Sequence, residues 1–264
     1  MSSSRPSSFL RPGKVVLLVL LALLVYGIGL VLTVPAGWVW QQARQEIRLP
    51  RGLEVQAVTG TVWDGQVSLR FQGRALSADW ALGLPSLSAM ALPVRLELAT
   101  ASSELSGDVT LGWPLSASLD ARGRLHIAEF EDLIRQSGGA LLEGDVRIDR
   151  LQLAWADNRL TEARGMGHWP GGQVTWPMGD TRQSAQFPAM EADLNQSEAG
   201  VSLKIRQQGE QAPAAEADIL RNGQLRVQVY KRLIDLAGQP WSGAAAPGDV
   251  VFKVQQPLLP GGRF

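Results

Sequence analysis

The chain has 264 residues, with 25 basic and 25 acidic side chains, two histidines and no cysteine. Arg5, Arg11, Lys14 and Arg44 precede the first acidic residue, Glu46, so the body beyond carries 21 basic against 25 acidic residues and lacks the Lys/Arg clusters of a nucleic-acid binder. The missing cysteines exclude disulfides and thiolate chemistry, and His126 and His168 have no ligand-like spacing for a zinc site or a histidine-based triad.

Residues 1–14 are a basic head without acid, and residues 15–34 are an uncharged, mostly apolar run. At about 1.5 Å per residue a helix of that length covers roughly 30 Å, the hydrocarbon thickness of a bilayer. Val34-Pro35-Ala36 resembles a small-residue cleavage site, but a cleaved signal has an apolar region of about 7–15 residues, shorter than this one. Trp38 and Trp40 follow at the position of a headgroup belt. The expectation is therefore a single-span inner-membrane anchor, with its basic N-terminus retained in the cytoplasm and the bulk of the chain in the periplasm. Residues 35–51 read as a juxtamembrane segment, helical over 36–50 and ended by Pro50.

Residues 52–264 carry a period-two pattern in many short runs. They include Leu53, Val55, Ala57; Val67, Leu69, Phe71; Val94, Leu96, Leu98; Val109, Leu111, Trp113; and Leu115, Ala117, Leu119. Val146, Ile148; Leu151, Leu153, Trp155; Val201, Leu203, Ile205; Leu225, Val227, Val229; and Val250, Phe252, Val254 continue it. Alternation places one apolar face against a core and one polar face in water. Turn formers such as Gly60, Asp64-Gly65, Gly171-Gly172 and Asn222-Gly223 separate the runs. The expected fold is mainly β, a curved antiparallel meander with one or two short helices. Ile127, Phe130, Leu133 and Ile134 form the stripe of one helix, over 127–136, stopped by Gly138-Gly139. A second spans 231–237 before Gly238 and Pro240, and 207–217 reads as a loop. Gly-Asp-Val recurs at 107–109, 144–146 and 248–250, a turn pair entering a strand rather than a repeat period.

No constellation for catalysis is present in the sequence. Glu129, Glu131 and Asp132 fall on the side of the predicted helix away from its apolar stripe, as a solvated face does. There is no phosphate-binding glycine loop and no Gly-x-Ser-x-Gly elbow, and His168-Trp169-Pro170-Gly171-Gly172 reads as a loop with a packed Trp. The chain reads as a non-enzyme, with no cofactor, metal or nucleic acid expected.

Gly60-Thr61-Val62-Trp63-Asp64-Gly65 stands apart. Between two alternating runs it predicts a hairpin tip, in which Gly60 allows a tight backbone, Val62 or Trp63 faces a core, and Asp64-Gly65 supplies a positive-φ turn. Together with the anchor and its Pro35-Ala36-Gly37-Trp38 exit, this block resembles the protein N family of the bacterial type II secretion system, the general secretory pathway component N. Leu142-Glu143-Gly144-Asp145-Val146 and the Trp- and Gly-containing stretch from Gly165 to Trp176 fit the same layout.

That resemblance implies an accessory, non-catalytic inner-membrane subunit of the machine that exports folded proteins across the outer membrane. Its implied partners are inner-membrane and periplasmic subunits of the machine, bridging toward the secretin complex. Gly60, Thr61, Val62, Trp63, Asp64 and Gly65 are then the family motif and candidate interaction residues, with Trp38 and Trp40 at the membrane interface. A similar block near the membrane occurs in AsmA-like envelope proteins. The alternative is therefore a periplasmic lipid-handling protein with an apolar β groove, lined by residues such as Val109, Leu111, Val146, Ile148, Leu225 and Val227.

Overall fold

The computed structural model describes residues 21–257 apart from 24, 28, 30, 31, 45, 47, 48, 50, 51, 72, 87, 89, 137, 138, 158 and 180. The basic head, residues 15–20 of the predicted anchor, Pro50 and Gly138 thus lie outside the described residues. Helical backbone is present at 21–23, 25–27, 29 and 32. Among the described residues, no helix is long and apolar enough to cross a membrane.

The juxtamembrane helix, α1 (Ala36–Ala43), is shorter than the sequence predicts and gives way to a turn at Arg44. Six antiparallel strands follow in order: β1 (Leu53–Gly60), β2 (Asp64–Phe71), β3 (Arg74–Leu82), β4 (Ala91–Ala99), β5 (Glu104–Gly112) and β6 (Ser116–His126). A 3₁₀ turn (Ile127–Phe130) runs into α2 (Glu131–Gln136), and β7 (Leu141–Leu142) leads to β8 (Asp145–Ala156) and β9 (Arg159–Trp169). β10 (Gly172–Met178) and β11 (Thr181–Phe187) leave the main sheet, and β12 (Met190–Ser197) returns to it beside β9. β13 (Gly200–Gln207), β14 (Ala215–Leu220), β15 (Gln224–Tyr230), α3 (Lys231–Leu236) and β16 (Val250–Pro257) complete the order.

The result is one 13-stranded antiparallel sheet, with a three-stranded sheet of β11, β10 and β7 beside it. The meander is as the alternation predicts; the second sheet is not, because β7 has only two residues and β10 breaks its alternation at Pro177. The segment 207–217 is a loop only in part, since β14 already begins at Ala215.

Cross-strand register divides the large sheet into two unlike faces. One row crosses all its strands through Val58, Val67, Ala78, Leu98, Leu105, Gly123, Ile148, Gly167, Ala192, Ile205, Ala215, Val229 and Phe252. Every member is apolar or glycine. One residue along, the row Glu104, Arg124, Arg147, His168, Glu191, Arg206 is charged or polar throughout and points the other way. Bulges keep the two faces distinct where the sequence changes parity. The break between Ile148 and Arg150 lets the even run Val146, Ile148 and the odd run Leu151, Leu153, Trp155 share one strand and one face. The irregularity at Gln56 puts Val55 and Val58 on the apolar face, so Ala57, predicted to face inward, is exposed opposite Ser68. Trp113 leaves its run altogether and is 76% exposed in the turn after β5.

The apolar face is packed mainly over β9, β12 and β13. There Trp169, Met190 and Ala214 form a buried cluster with Val174 and Phe187 of the small sheet, joined by Leu233 and Leu236 of α3. The Trp169 Nε1–H donates to the Glu143 carbonyl at 2.7 Å, so this indole is both packed and hydrogen-bonded. It ends β9 rather than occupying a loop as predicted. Val146 packs against this cluster, whereas Leu111 on the same face stays exposed.

Candidate functional site

The six-residue motif joins β1 to β2 through Thr61, Val62 and Trp63. The positive φ of the connection is at Gly60, +82°, and not at Asp64-Gly65, which already belong to β2. A Cβ on Gly60 would stand 2.5 Å from the Asp64 carbonyl oxygen and 2.7 Å from the Gly65 Cα, so both conformation and space require glycine. The Thr61 N–H donates to the Asp64 carbonyl at 2.7 Å, and the Asp64 N–H donates to Thr61 Oγ1 at 3.1 Å. The loop is therefore closed by its own groups, with Thr61 as its polar lock.

Two outside elements clasp this loop. On one side Trp80 of β3, opposite Gly65 in register, lies so close that a Cβ at residue 65 would overlap its ring. Its Nε1–H donates to the Val62 carbonyl at 3.0 Å, and the Leu82 N–H donates to the Trp63 carbonyl at 2.6 Å. On the other side the Val62 N–H donates to the Val34 carbonyl at 3.1 Å, and Pro35 forms an antiparallel bridge with Thr61. Ala36 is buried, and a Cβ on Gly37 would come 3.1 Å from the Val58 carbonyl oxygen. The motif thus fastens the segment that follows residue 33 to the first edge of the sheet.

Trp63 is half-buried and stands outside the buried cluster, and Val62 is half-buried too, so the motif does not reach a deep core as predicted. Trp38 is exposed on α1, and Trp40 is half-buried. Trp80 is the residue the motif alone does not announce. Its signal was the alternating run Leu76, Ala78, Trp80, Leu82, which places it on the face that carries Gly65.

A second constellation ties the 127–136 helix to the sheet. Glu129 accepts hydrogen bonds from Thr100 Oγ1, Ser103 Oγ and the Ser102 N–H. Burial alone would raise its pKa, but the hydrogen bonds from Ser103, Thr100 and Ser102, with the charge of His126, outweigh this and hold the carboxyl below its usual value. Asp132 pairs with Arg74 at 2.9 Å, and Glu131 pairs with Arg135. The three acids predicted as a solvated face therefore have structural partners. His126 Nδ1 lies 2.6 Å from Asp145, and His168 lies 3.4 Å from Asp149 on the polar face. Among the described residues, no group of three or more His, Asp or Glu side chains is placed to hold a metal ion.

The described residues thus form a one-sided β platform, an antiparallel meander clasped at its first edge by a Gly-Thr-Val-Trp-Asp-Gly hairpin. The chain belongs to the type II secretion system (T2SS) protein N family, whose model matches residues 51–250. It is similar to type II secretion system protein N of Vibrio cholerae serotype O1 (strain ATCC 39315 / El Tor Inaba N16961), at 27% identity over 169 residues. That match covers 62% of this chain and 66% of the Vibrio protein, a little under two thirds of its length. No solved structure matches the chain.

Proposed function

We propose that the protein is an accessory inner-membrane subunit of the type II secretion system, acting without catalysis in assembly and protein contacts during export of folded proteins across the outer membrane. Residues 15–34 hold it in the membrane, the basic head stays in the cytoplasm, and the sheet stands in the periplasm. Its partners are other inner-membrane and periplasmic subunits of the system, with the secretin complex beyond them.

The observation that carries this reading is the clasp at Val34, Pro35 and Thr61. A span that only tethered would need no register with the domain behind it. Here the Val62 N–H reaches the carbonyl of Val34, the last residue of the predicted anchor, which supports a body held close to the membrane, where tethering raises its effective concentration near membrane-bound partners. Family membership supports the assignment to secretion.

The test is in-cell cross-linking of the full chain at native expression, followed by identification of the captured proteins. Capture of secretion-system subunits, reduced when three glycines are inserted between Pro35 and Ala36, is the expected result. Their absence from the cross-linked material overturns the proposal.

A further inference from the structure

Between β2, β3 and the 127–136 helix lies a cavity of about 960 Å³. Leu69, Phe71, Leu76 and Ala99 line it from the sheet, and Phe130 and Leu133 line it from the helix. Its volume is at the upper end of small-molecule sites. Several polar groups along its lining are engaged with one another: Ser77 Oγ donates to the Ala99 carbonyl at 3.4 Å, Thr100 Oγ1 donates to Glu129, and Arg74 donates to Asp132 at 2.9 Å. Gln56 and Ser68 add polar groups at its margin, and the rest of what the cavity presents to an occupant is mainly hydrocarbon.

A peptide entering such a space would carry N–H and C=O groups that need partners, and burying them unpaired is costly. An alkyl chain carries none. We infer that this cavity binds one acyl chain of a membrane phospholipid, with the headgroup in water at the rim near Arg74 and Asp132. The helix forms one wall, held to the sheet by polar ties through Glu129 and Asp132. This site goes beyond the protein contacts proposed above and rests on that reading only for its source of lipid, the membrane that holds residues 15–34.

The full chain, reconstituted in phosphatidylethanolamine and phosphatidylglycerol vesicles doped with a diazirine-acyl phospholipid, is irradiated and its labelled residues are mapped. Labelling of Leu76, Phe130 and Leu133 is expected, with at least a tenfold loss at the remaining lining positions in Leu76→Trp and, separately, Leu133→Trp, each of which fills the cavity. Circular dichroism of both variants reports whether the fold persists, and the wild-type map stands without them. Label confined to residues 15–34 overturns the acyl-chain site and leaves the anchor intact. Label in the cavity but not in 15–34 upholds the site and removes the anchor, and label in neither overturns both.

Discussion

The Trp80 indole lies over Gly65 and donates from Nε1 to the Val62 carbonyl at 3.0 Å, so the third strand holds down the hairpin that joins the first two. Replacing Trp80 with Phe keeps the ring contact but leaves the Val62 carbonyl without this donor. We predict a loss of about 1 kcal/mol in denaturant unfolding of the full chain. Trp80→Ala, which also removes the half-buried ring, should cost about 2–3 kcal/mol, below the range for a fully buried aromatic.

Gly60 and Gly65 should be intolerant of side chains for different reasons. Gly60→Ala meets a left-handed backbone at φ +82°, about 1–2 kcal/mol of strain, and a carbonyl 2.5 Å away. Gly65→Val drives a branched side chain into Trp80. Trp80→Ala should partly rescue Gly65→Val but not Gly60→Ala, and a double-mutant cycle on melting temperature checks this.

Glu129→Gln should loosen the helix from the turn at residues 100–103. The carboxylate of Glu129 has a lowered pKa in the fold, so its stabilisation is complete above about pH 4.3 and is lost as pH falls through the lower folded value. At pH 7 the variant should be about 1 kcal/mol less stable, with the gap closing as the pH falls below 4. Melting of both proteins across pH 3–7 measures it, and a gap that widens with acid would contradict the assignment.

Trp169→Ala should be among the most damaging substitutions in the chain, at about 3–5 kcal/mol, because it opens the cluster that joins the two sheets. Hydrogen exchange should show the loss first in β10 and β11, which depend on that cluster for their attachment.

Arg206 on the polar face binds both Glu191 and Asp193, all three only partly exposed. Arg206→Met should cost about 1–3 kcal/mol, since two carboxylates are then left facing each other without a counter-ion. Arg95→Met, whose ion pair with Asp108 is well exposed, should change stability by less than about 1 kcal/mol.

The meander was legible because nearly every strand alternates cleanly and the turns carry glycine. The two errors of parity came from one cause. A bulge adds a residue without ending the strand, so Val146, Ile148 and Leu151, Leu153, Trp155 look like two strands and are one, while Ala57 looks inward and is not. The hairpin at 60–65 was legible as a hairpin, but its clasp was not. Val34 and Trp80 reach it from outside the local window, and a backbone hydrogen bond such as Val62 to Val34 leaves no mark on residue type. Glu129 misled for the same reason: its partners are small hydroxyl residues in a distant turn.

The strand order of the large sheet nearly repeats the order of the chain, and each strand adds about 4.8 Å, so the path along the sheet from its first edge to its last at β16 is roughly 58 Å. Position in the sequence is thereby converted into distance, as on a ruler whose zero is the hairpin at Gly60. A chain growing from its N-terminus can lay down each strand against one already in place, by short loops, without waiting for remote segments. Stopping the chain at successive turns should yield shorter sheets with the same first edge, each retaining the clasp at Thr61 and differing only in reach.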